Sequence, residues 1–204
     1  MEGLYELEDF SYMESEGVYP VERDSLLLFR AFCSVIDGKR NIIDMGCGTG
    51  ILTLKAARSG LEVVSIDREP RALASLRANL DKNGLSSSIF LSDLFEGVPN
   101  SFRNWADLAA FNPPYLEGVL KTGYRRRELA LLGGIDPAAI SRRFLRDVRN
   151  YLSEKGLVLI IVDRKWKTEL LDPDGYYGEK VVIESVDMEG EILDAVLMKP
   201  RNGK

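Results

Sequence analysis

The chain has 204 residues, 45% hydrophobic and 29% charged, with 27 Lys and Arg against 32 Asp and Glu for a net charge of −5. That length and balance fit one folded domain and exclude a disordered chain, and the acidic surplus argues against a dedicated nucleic-acid binder, whose affinity comes largely from basic groups at phosphates. Histidine is absent and the cysteines are Cys33 and Cys47 alone, which rules out the usual zinc sites, a Ser-His-Asp triad and a Cys-His pair.

The first sixteen residues carry six acids and no Lys or Arg, the reverse of a signal or transit peptide. The longest strongly apolar run, "LVLIIV", is too short to span a bilayer, so a soluble, cytoplasmic protein is expected. "RDSLLLFRAFCSVI" reads as a helix capped by Asp24 or Ser25. "NIIDMGCGTG" is a short apolar strand entering a glycine-rich turn, and "GILTLKAARSG" is a helix closed by Gly60. "LEVVSID" is a β-branched strand. "EPRALASLRANLDKNG" is a helix with Pro70 near its start, Leu73, Leu76 and Leu80 on one face, and Asn83-Gly84 at its end. "SIFLSD" and "DLAAFN" are further strands. Asp136-Pro137 opens another helix, with Ile140, Phe144, Val148 and Leu152 at every fourth position and Gly156 ending it. "LVLIIVD" follows as a buried strand, and "KVVIESVD", "MEGE" and "ILDAVLMK" predict an antiparallel hairpin.

Alternating strands and helices predict a mostly parallel α/β sheet with right-handed crossovers and helices on both faces, ending in that hairpin. The expected organisation is a single domain over residues 1–204, with an N-terminal segment and helix over 1–40 and the core over 41–204.

Ligands of such sheets bind at the carboxyl ends of the strands. Four candidate strands end there on polar residues: Asp44, Asp67, Asp93 and Asn112. Any one of them could simply cap the next helix; four together predict a shared polar crevice. Gly46, Gly48 and Gly50 give G-x-G-x-G, with Ile51 where a dinucleotide fingerprint wants its third glycine. Asp44, two residues before the first glycine, would repel phosphate and attract a positive centre. A nucleoside-like, phosphate-free cation such as S-adenosylmethionine fits. Asp67 is placed to accept from ribose hydroxyls and Asp93 from the adenine amino group, with Leu94 and Phe95 as apolar contacts. A nucleotide-binding dehydrogenase is the competing reading, and the missing glycine counts against it. Cys47 reads as a small residue of the loop.

"IIDMGCGTG", "VVSID", "LSDLF" and "FNPPY" together resemble the class I S-adenosylmethionine-dependent methyltransferases with an N-P-P-Y motif, a branch that includes HemK-type protein-glutamine and adenine amino methyltransferases. "VYPVERDSLLL" and "RRRELALLGG" are similar to the archaeal and eukaryotic HemK-related group over almost the whole chain. Arg23 stands where that group usually has an acid, while Tyr19, Asp24 and Ser25 match. The resemblance implies a Rossmann-like methyltransferase fold, S-adenosylmethionine as cofactor bound by Tyr19, Ser25, the glycine loop, the strand-end acids and Asn112, and no metal. It implies as substrate the glutamine of the Gly-Gly-Gln loop of a peptide chain release factor, and as partner a small zinc-binding activator protein.

Two prolines fix φ and cannot lie inside a helix or central strand, so Asn112-Pro113-Pro114-Tyr115 is a rigid turn at a strand end. A planar carboxamide or adenine nitrogen is a weak nucleophile because its lone pair is delocalised. The Asn112 side-chain oxygen and the Pro113 carbonyl can accept its two N–H bonds, with Tyr115 stacked on the plane. Positioning of this kind contributes roughly 7–11 kcal/mol, so no strong base is required. Two further features carry less: the basic cluster Lys121, Arg125, Arg126 and Arg127, which could grip an acidic protein or a nucleic acid, and "SIFLSD", which could lie at a sheet edge and take a partner strand. Three functions are open at this point: methylation of a release-factor glutamine, N6-methylation of adenine in DNA or RNA, and a non-catalytic binding domain on the same fold.

Overall fold

The computed structural model of the protein describes residues 4–114, 136, 138–166, 168–188 and 190–201. In chain order it contains β1 (Leu4–Leu7), β2 (Phe10–Met13), α1 (Arg23–Val35), β3 (Asn41–Met45), α2 (Ile51–Arg58), β4 (Glu62–Asp67), α3 (Pro70–Asn83) and β5 (Ser88–Leu91). There follow β6 (Ala106–Phe111), α4 (Ala138–Val148), β7 (Leu152–Asp163), β8 (Tyr177–Met188) and β9 (Glu191–Pro200).

Among the described residues, seven strands form one sheet in the order β5-β4-β3-β6-β7-β9-β8. The first five pair in parallel, and β9 runs antiparallel to both β7 and β8. This is the mostly parallel α/β sandwich with a C-terminal antiparallel hairpin that the alternation predicts. The central strands are largely apolar because both faces are covered. Ile42, Val63, Leu108 and Leu159 join a cluster with α1, α2 and α3, while their neighbours Ile43, Val64, Ala109 and Ile160 face α4 on the other side. Leu73, Leu76 and Leu80 of α3 are buried as expected, with Pro70 at its first turn and Gly84 as its left-handed C-cap.

The structure departs from the sequence reading in three places. First, α1 begins at Arg23 with Glu22 at the N-cap position and no side-chain cap. Asp24 lies inside the first turn and is fully buried, because its carboxylate is engaged across the fold. Second, α4 ends at Val148, and Leu152 opens β7 by pairing with Ala106. The four-residue spacing continued past the helix only because Leu152 is buried by the sheet. Gly156 therefore lies within β7, at the register shift against β6, where a Cβ would come 2.5 Å from the Ala106 carbonyl oxygen. Asp136 does accept from the Ala138 amide at the start of α4, at 3.1 Å, and Pro137 lies outside the described residues. Third, the acidic N-terminal segment contains the β1–β2 hairpin, which buries Phe10 and Tyr12.

That hairpin is fastened by side chains. Asn79 of α3 accepts from the Met13 amide at 2.8 Å and donates to the Met13 carbonyl at 3.0 Å. One turn further on, Asn83 makes the same pair of bonds with Ser11, and one turn earlier Ser75 meets Ser15 at 3.0 Å. Residues at i, i+4 and i+8 share a helix face, so α3 acts toward β2 as a partner strand would. No helix among the described residues is long and apolar enough to cross a membrane.

Candidate active site

From β3 the chain winds outward to β4 and β5, then returns to β6 on the opposite side of β3. The crevice at such a switch point lies at the carboxyl ends of β3 and β6. Met45 and Phe111 are register partners, so the glycine loop and the Asn112-Pro113-Pro114 turn leave the sheet side by side.

Glycine is required in that loop on steric grounds. Gly46 has φ of 63°, and a Cβ there would come 3.1 Å from the Phe111 ring. Gly50, the N-cap of α2, has φ of 93°, and a Cβ would collide with Leu76, itself fully buried. At both positions the space a Cβ would need is already taken by a packed side chain, so the loop backbone lies tight against Phe111 and Leu76. The Gly48 amide, with φ of 54°, donates to Asp67 Oδ2 at 3.0 Å. Asp67 Oδ1 accepts from the Glu69 amide at 2.9 Å, so one carboxylate ties the loop to the start of α3. Burial raises the Asp67 pKa against the opposing pull of these two amides. A carboxylate accepts up to about four bonds, and lone pairs therefore remain for a ligand.

Asp44 is used differently. It is 4% exposed, and its Oδ2 accepts from the Thr53 amide at 3.1 Å and the Thr53 hydroxyl at 2.6 Å. It thus caps the first turn of α2 from below. Thr53 Oγ1 lies 2.7 Å from Ser65 Oγ, which lies 3.1 Å from Ser87 Oγ, making a chain of hydroxyls under the sheet. Burial pushes the Asp44 carboxyl up to about 7, although both Thr53 bonds oppose the shift. The helix-capping role weighed for any single strand-end acid is thus the one the geometry gives Asp44.

Asp93 is exposed and ion-paired to Arg143 of α4 at 3.5 Å. Leu94 has φ of 50° and is buried. Phe95 is buried and stacked on Tyr151 at 4.4 Å between centroids.

Asn112 leaves the end of β6 and donates its side-chain amide to Asp24 Oδ2 at 2.9 Å. Its Oδ1 is buried and has no hydrogen-bond partner among the described residues. The Tyr19 hydroxyl lies 3.3 Å from each Asp24 oxygen and 3.4 Å from Glu22 Oε2, and the Ser25 amide donates to Asp24 Oδ1 at 2.7 Å. The structure therefore brings Tyr19, Ser25 and Asn112 together around Asp24, which the sequence reading offered as a helix cap and matched to the family pattern without giving it a part in the site. The signal for Asp24 was its position between two residues already matched to the site. Asn79 was also missed. Besides Met13 it donates to the Thr49 carbonyl at 2.9 Å, which fastens the glycine loop to the hairpin. Its signal was the polar series Ser75, Asn79, Asn83 at four-residue spacing beside the apolar face of α3. Pro113 is buried and Pro114 half-buried. Tyr115, Lys121 and Arg125–Arg127 lie outside the described residues.

Residues 14–129 match the family model described as the methyltransferase small domain. A Methanocaldococcus jannaschii chain named as a candidate protein N5-glutamine methyltransferase is 32% identical over 163 residues, 78% of each chain. The fold is shared with the E. cuniculi Mtq2-Trm112 complex responsible for methylation of the eRF1 translation termination factor (TM-score 0.70, 20% identity, 91% of this chain and 99% of that one). It is shared as well with the T. thermophilus 16S rRNA N2 G1207 methyltransferase in complex with AdoMet and guanosine (TM-score 0.74, 21% identity, 98% of this chain and 50% of that one).

Proposed function

Because this chain belongs to the methyltransferase small domain family, in the HemK-related group of class I S-adenosylmethionine-dependent methyltransferases, we propose that it methylates the N5 nitrogen of a glutamine, the one in the Gly-Gly-Gln loop of a peptide chain release factor. The single observation that carries the chemistry is the Oδ1 of Asn112, buried and without a partner among the described residues, on the turn that leaves the sheet beside the glycine loop. A buried acceptor without a donor is destabilising, and an N–H of the methyl acceptor supplies what is missing.

The residues fit the cofactor. The glycine loop leaves the sheet beside the Asn112 turn, and Asp67, tied to the Gly48 and Glu69 amides, keeps acceptor capacity for vicinal hydroxyls. When bound, S-adenosylmethionine supplies a methyl group on cationic sulfur: the new N–C bond forms as the S–C bond breaks, sulfur keeps the electron pair, and one N–H proton leaves to solvent. Asn112 Oδ1 accepts an N–H of the incoming carboxamide and orients the nitrogen. Asp67 holds Gly48 and so fixes the loop. The rigid Pro113-Pro114 turn keeps the acceptor in place between turnovers.

The choice of glutamine rests on the M. jannaschii relative and on the near-complete coverage of the E. cuniculi chain. Adenine in DNA or RNA is the second reading; the likeness to the rRNA enzyme, which acts on a guanine amino group, supports a nucleic-acid substrate without pointing to adenine. It needs a phosphate-binding track; the cluster Arg125–Arg127 read as its candidate lies outside the described residues, while the arginines of α4 are ion-paired, Arg142 with Asp136, Arg143 with Asp93 and Glu96, and Arg146 with Asp147. A small zinc-binding activator suits β5, the short edge strand, where Leu91 is 56% exposed. Release factor, activator and enzyme would meet in the cytoplasm.

The test is methyl transfer from labelled S-adenosylmethionine to a cognate release factor, with and without the activator, with the modified residue read by mass spectrometry. A methylated Gly-Gly-Gln glutamine is expected. Cofactor binding without transfer in the activator's presence would shift the assignment to adenine in nucleic acid.

A further inference from the structure

We propose that Asp24 is the positioning residue that sets which end of the Asn112 carboxamide faces the methyl acceptor, and thereby restricts the acceptor to a nitrogen that still bears a hydrogen. The proposal rests on the methyltransferase reading of the site. A carboxamide has two ends of nearly the same shape and opposite hydrogen-bonding sense. Packing alone does not distinguish them. If Asn112 were turned over, its NH₂ would confront the N–H of the acceptor, donor against donor, and the reacting nitrogen would be pushed away.

Asp24 removes that choice. A carboxylate offers only acceptors, so the end of Asn112 that fits against Asp24 Oδ2 at 2.9 Å is the NH₂. Turning the amide over would bring two acceptor oxygens into contact. The carboxylate is itself held: the Ser25 amide donates to Oδ1 at 2.7 Å, and the Tyr19 hydroxyl lies 3.3 Å from both oxygens. It is fully buried in the first turn of α1, 88 positions from Asn112 in the chain. Helix capping does not account for it, since the N-cap position of α1 belongs to Glu22. With Nδ2 engaged by Asp24, Oδ1 is the group left buried and without a partner among the described residues. An acceptor presented in this way selects a primary carboxamide or exocyclic amino nitrogen and disfavours a ring nitrogen or an oxygen nucleophile, which bring no N–H.

Exchanging the two groups tests the idea. Asn112→Asp alone sets two carboxylates against each other and should lower kcat by about 100-fold or more, the scale of losing one preorganised hydrogen-bond group. Asp24→Asn alone allows the amide to turn and should cost less. In the double variant the amide introduced at position 24 donates to the carboxylate introduced at position 112, whose other oxygen faces the acceptor. Recovery of about 10-fold over Asn112→Asp is expected, a non-additivity typical of residues that act as a unit. A double variant no faster than Asn112→Asp, with melting temperature and S-adenosylmethionine affinity preserved, would overturn the proposal. So would parallel loss of folding, cofactor binding and rate in all three variants, the mark of a purely structural role.

The rates are ratios on whichever substrate the wild type methylates. Adenine in place of glutamine would overturn the substrate assignment and still test Asp24. A readout without turnover completes the test: nuclear magnetic resonance should show one Asn112 side-chain NH₂ proton exchanging slowly in the wild type and rapidly in Asp24→Asn. Rapid exchange in the wild type would also overturn the proposal.

Discussion

Asn79 holds Met13 by both halves of its carboxamide, accepting from its amide at 2.8 Å and donating to its carbonyl at 3.0 Å. The same NH₂ reaches the Thr49 carbonyl of the glycine loop at 2.9 Å. One fully buried side chain therefore links the N-terminal hairpin, α3 and the loop that forms the crevice. Asn79→Ala leaves two acceptors and one donor without their partner. The expected loss is about 2–4 kcal/mol in urea unfolding, from the cost of unsatisfied buried polar groups. Affinity for S-adenosylmethionine should fall as well, because Thr49 is no longer restrained. A loss under ~0.5 kcal/mol would mean that water replaces the amide and that the linkage is not structural.

Asp67 is the acid best placed to serve a ligand and the loop together. Asp67→Ala frees the Gly48 and Glu69 amides and removes the remaining acceptor capacity. Calorimetry should show S-adenosylmethionine binding at least ~10-fold weaker, about 1.4 kcal/mol, with a smaller change in melting temperature. Unchanged affinity would limit Asp67 to shaping the loop.

The difference between Asp67 and Asp44 marks how far the sequence could be read. The strand ends, the glycine loop and the sheet with its terminal hairpin follow from local patterns: β-branched runs, a positive-φ glycine series and a period of two. Which way each strand-end acid turns depends on what packs above it, and no spacing encodes that. Asp44 turns inward because Thr53 arrives over it from α2. Asp24 resembled a cap because it precedes an apolar run, yet Asn112, distant in the chain, claims it. The β1–β2 hairpin was hidden for a similar reason, since the partner of β2 beyond β1 is a row of helix side chains. Leu152 misled through a local pattern: its four-residue spacing is helical, while its burial comes from pairing beside Ala106.

Asn112→Ala removes the acceptor at the end of β6 together with the group that meets Asp24. Transfer should fall by about 100-fold or more, on the scale of losing one preorganised hydrogen-bond group at a reacting centre. Cofactor binding should persist and weaken far less than transfer, because the glycine loop and Asp67 are untouched even though Asn112 itself borders the cofactor. Transfer at the wild-type rate would remove Asn112 from the mechanism.

Asp44 predicts a pH dependence with a definite sign. Its carboxyl is pushed up to about 7 in the folded protein from an ordinary 3.8, chiefly by burial. The native state therefore keeps a proton that the unfolded chain gives up as pH rises above about 4. The stabilising contribution is complete below the unfolded value and is lost as pH rises through about 7, after which it stays constant. Asp44→Asn has no carboxylate to ionise, so its stability relative to the wild type should increase between pH 5 and pH 8, by on the order of 1–3 kcal/mol. Thermal unfolding of both proteins at the two pH values gives the comparison, and other titrating groups cancel in the difference. A gap independent of pH would mean that water reaches Asp44 and that its carboxyl ionises as it does in solvent. The same ionisation bears on the crevice, where a positively charged ligand favours the carboxylate form. Near pH 7, the heat of S-adenosylmethionine binding to the wild type should vary with the ionisation enthalpy of the buffer as Asp44 gives up its proton, and the heat measured with Asp44→Asn should not.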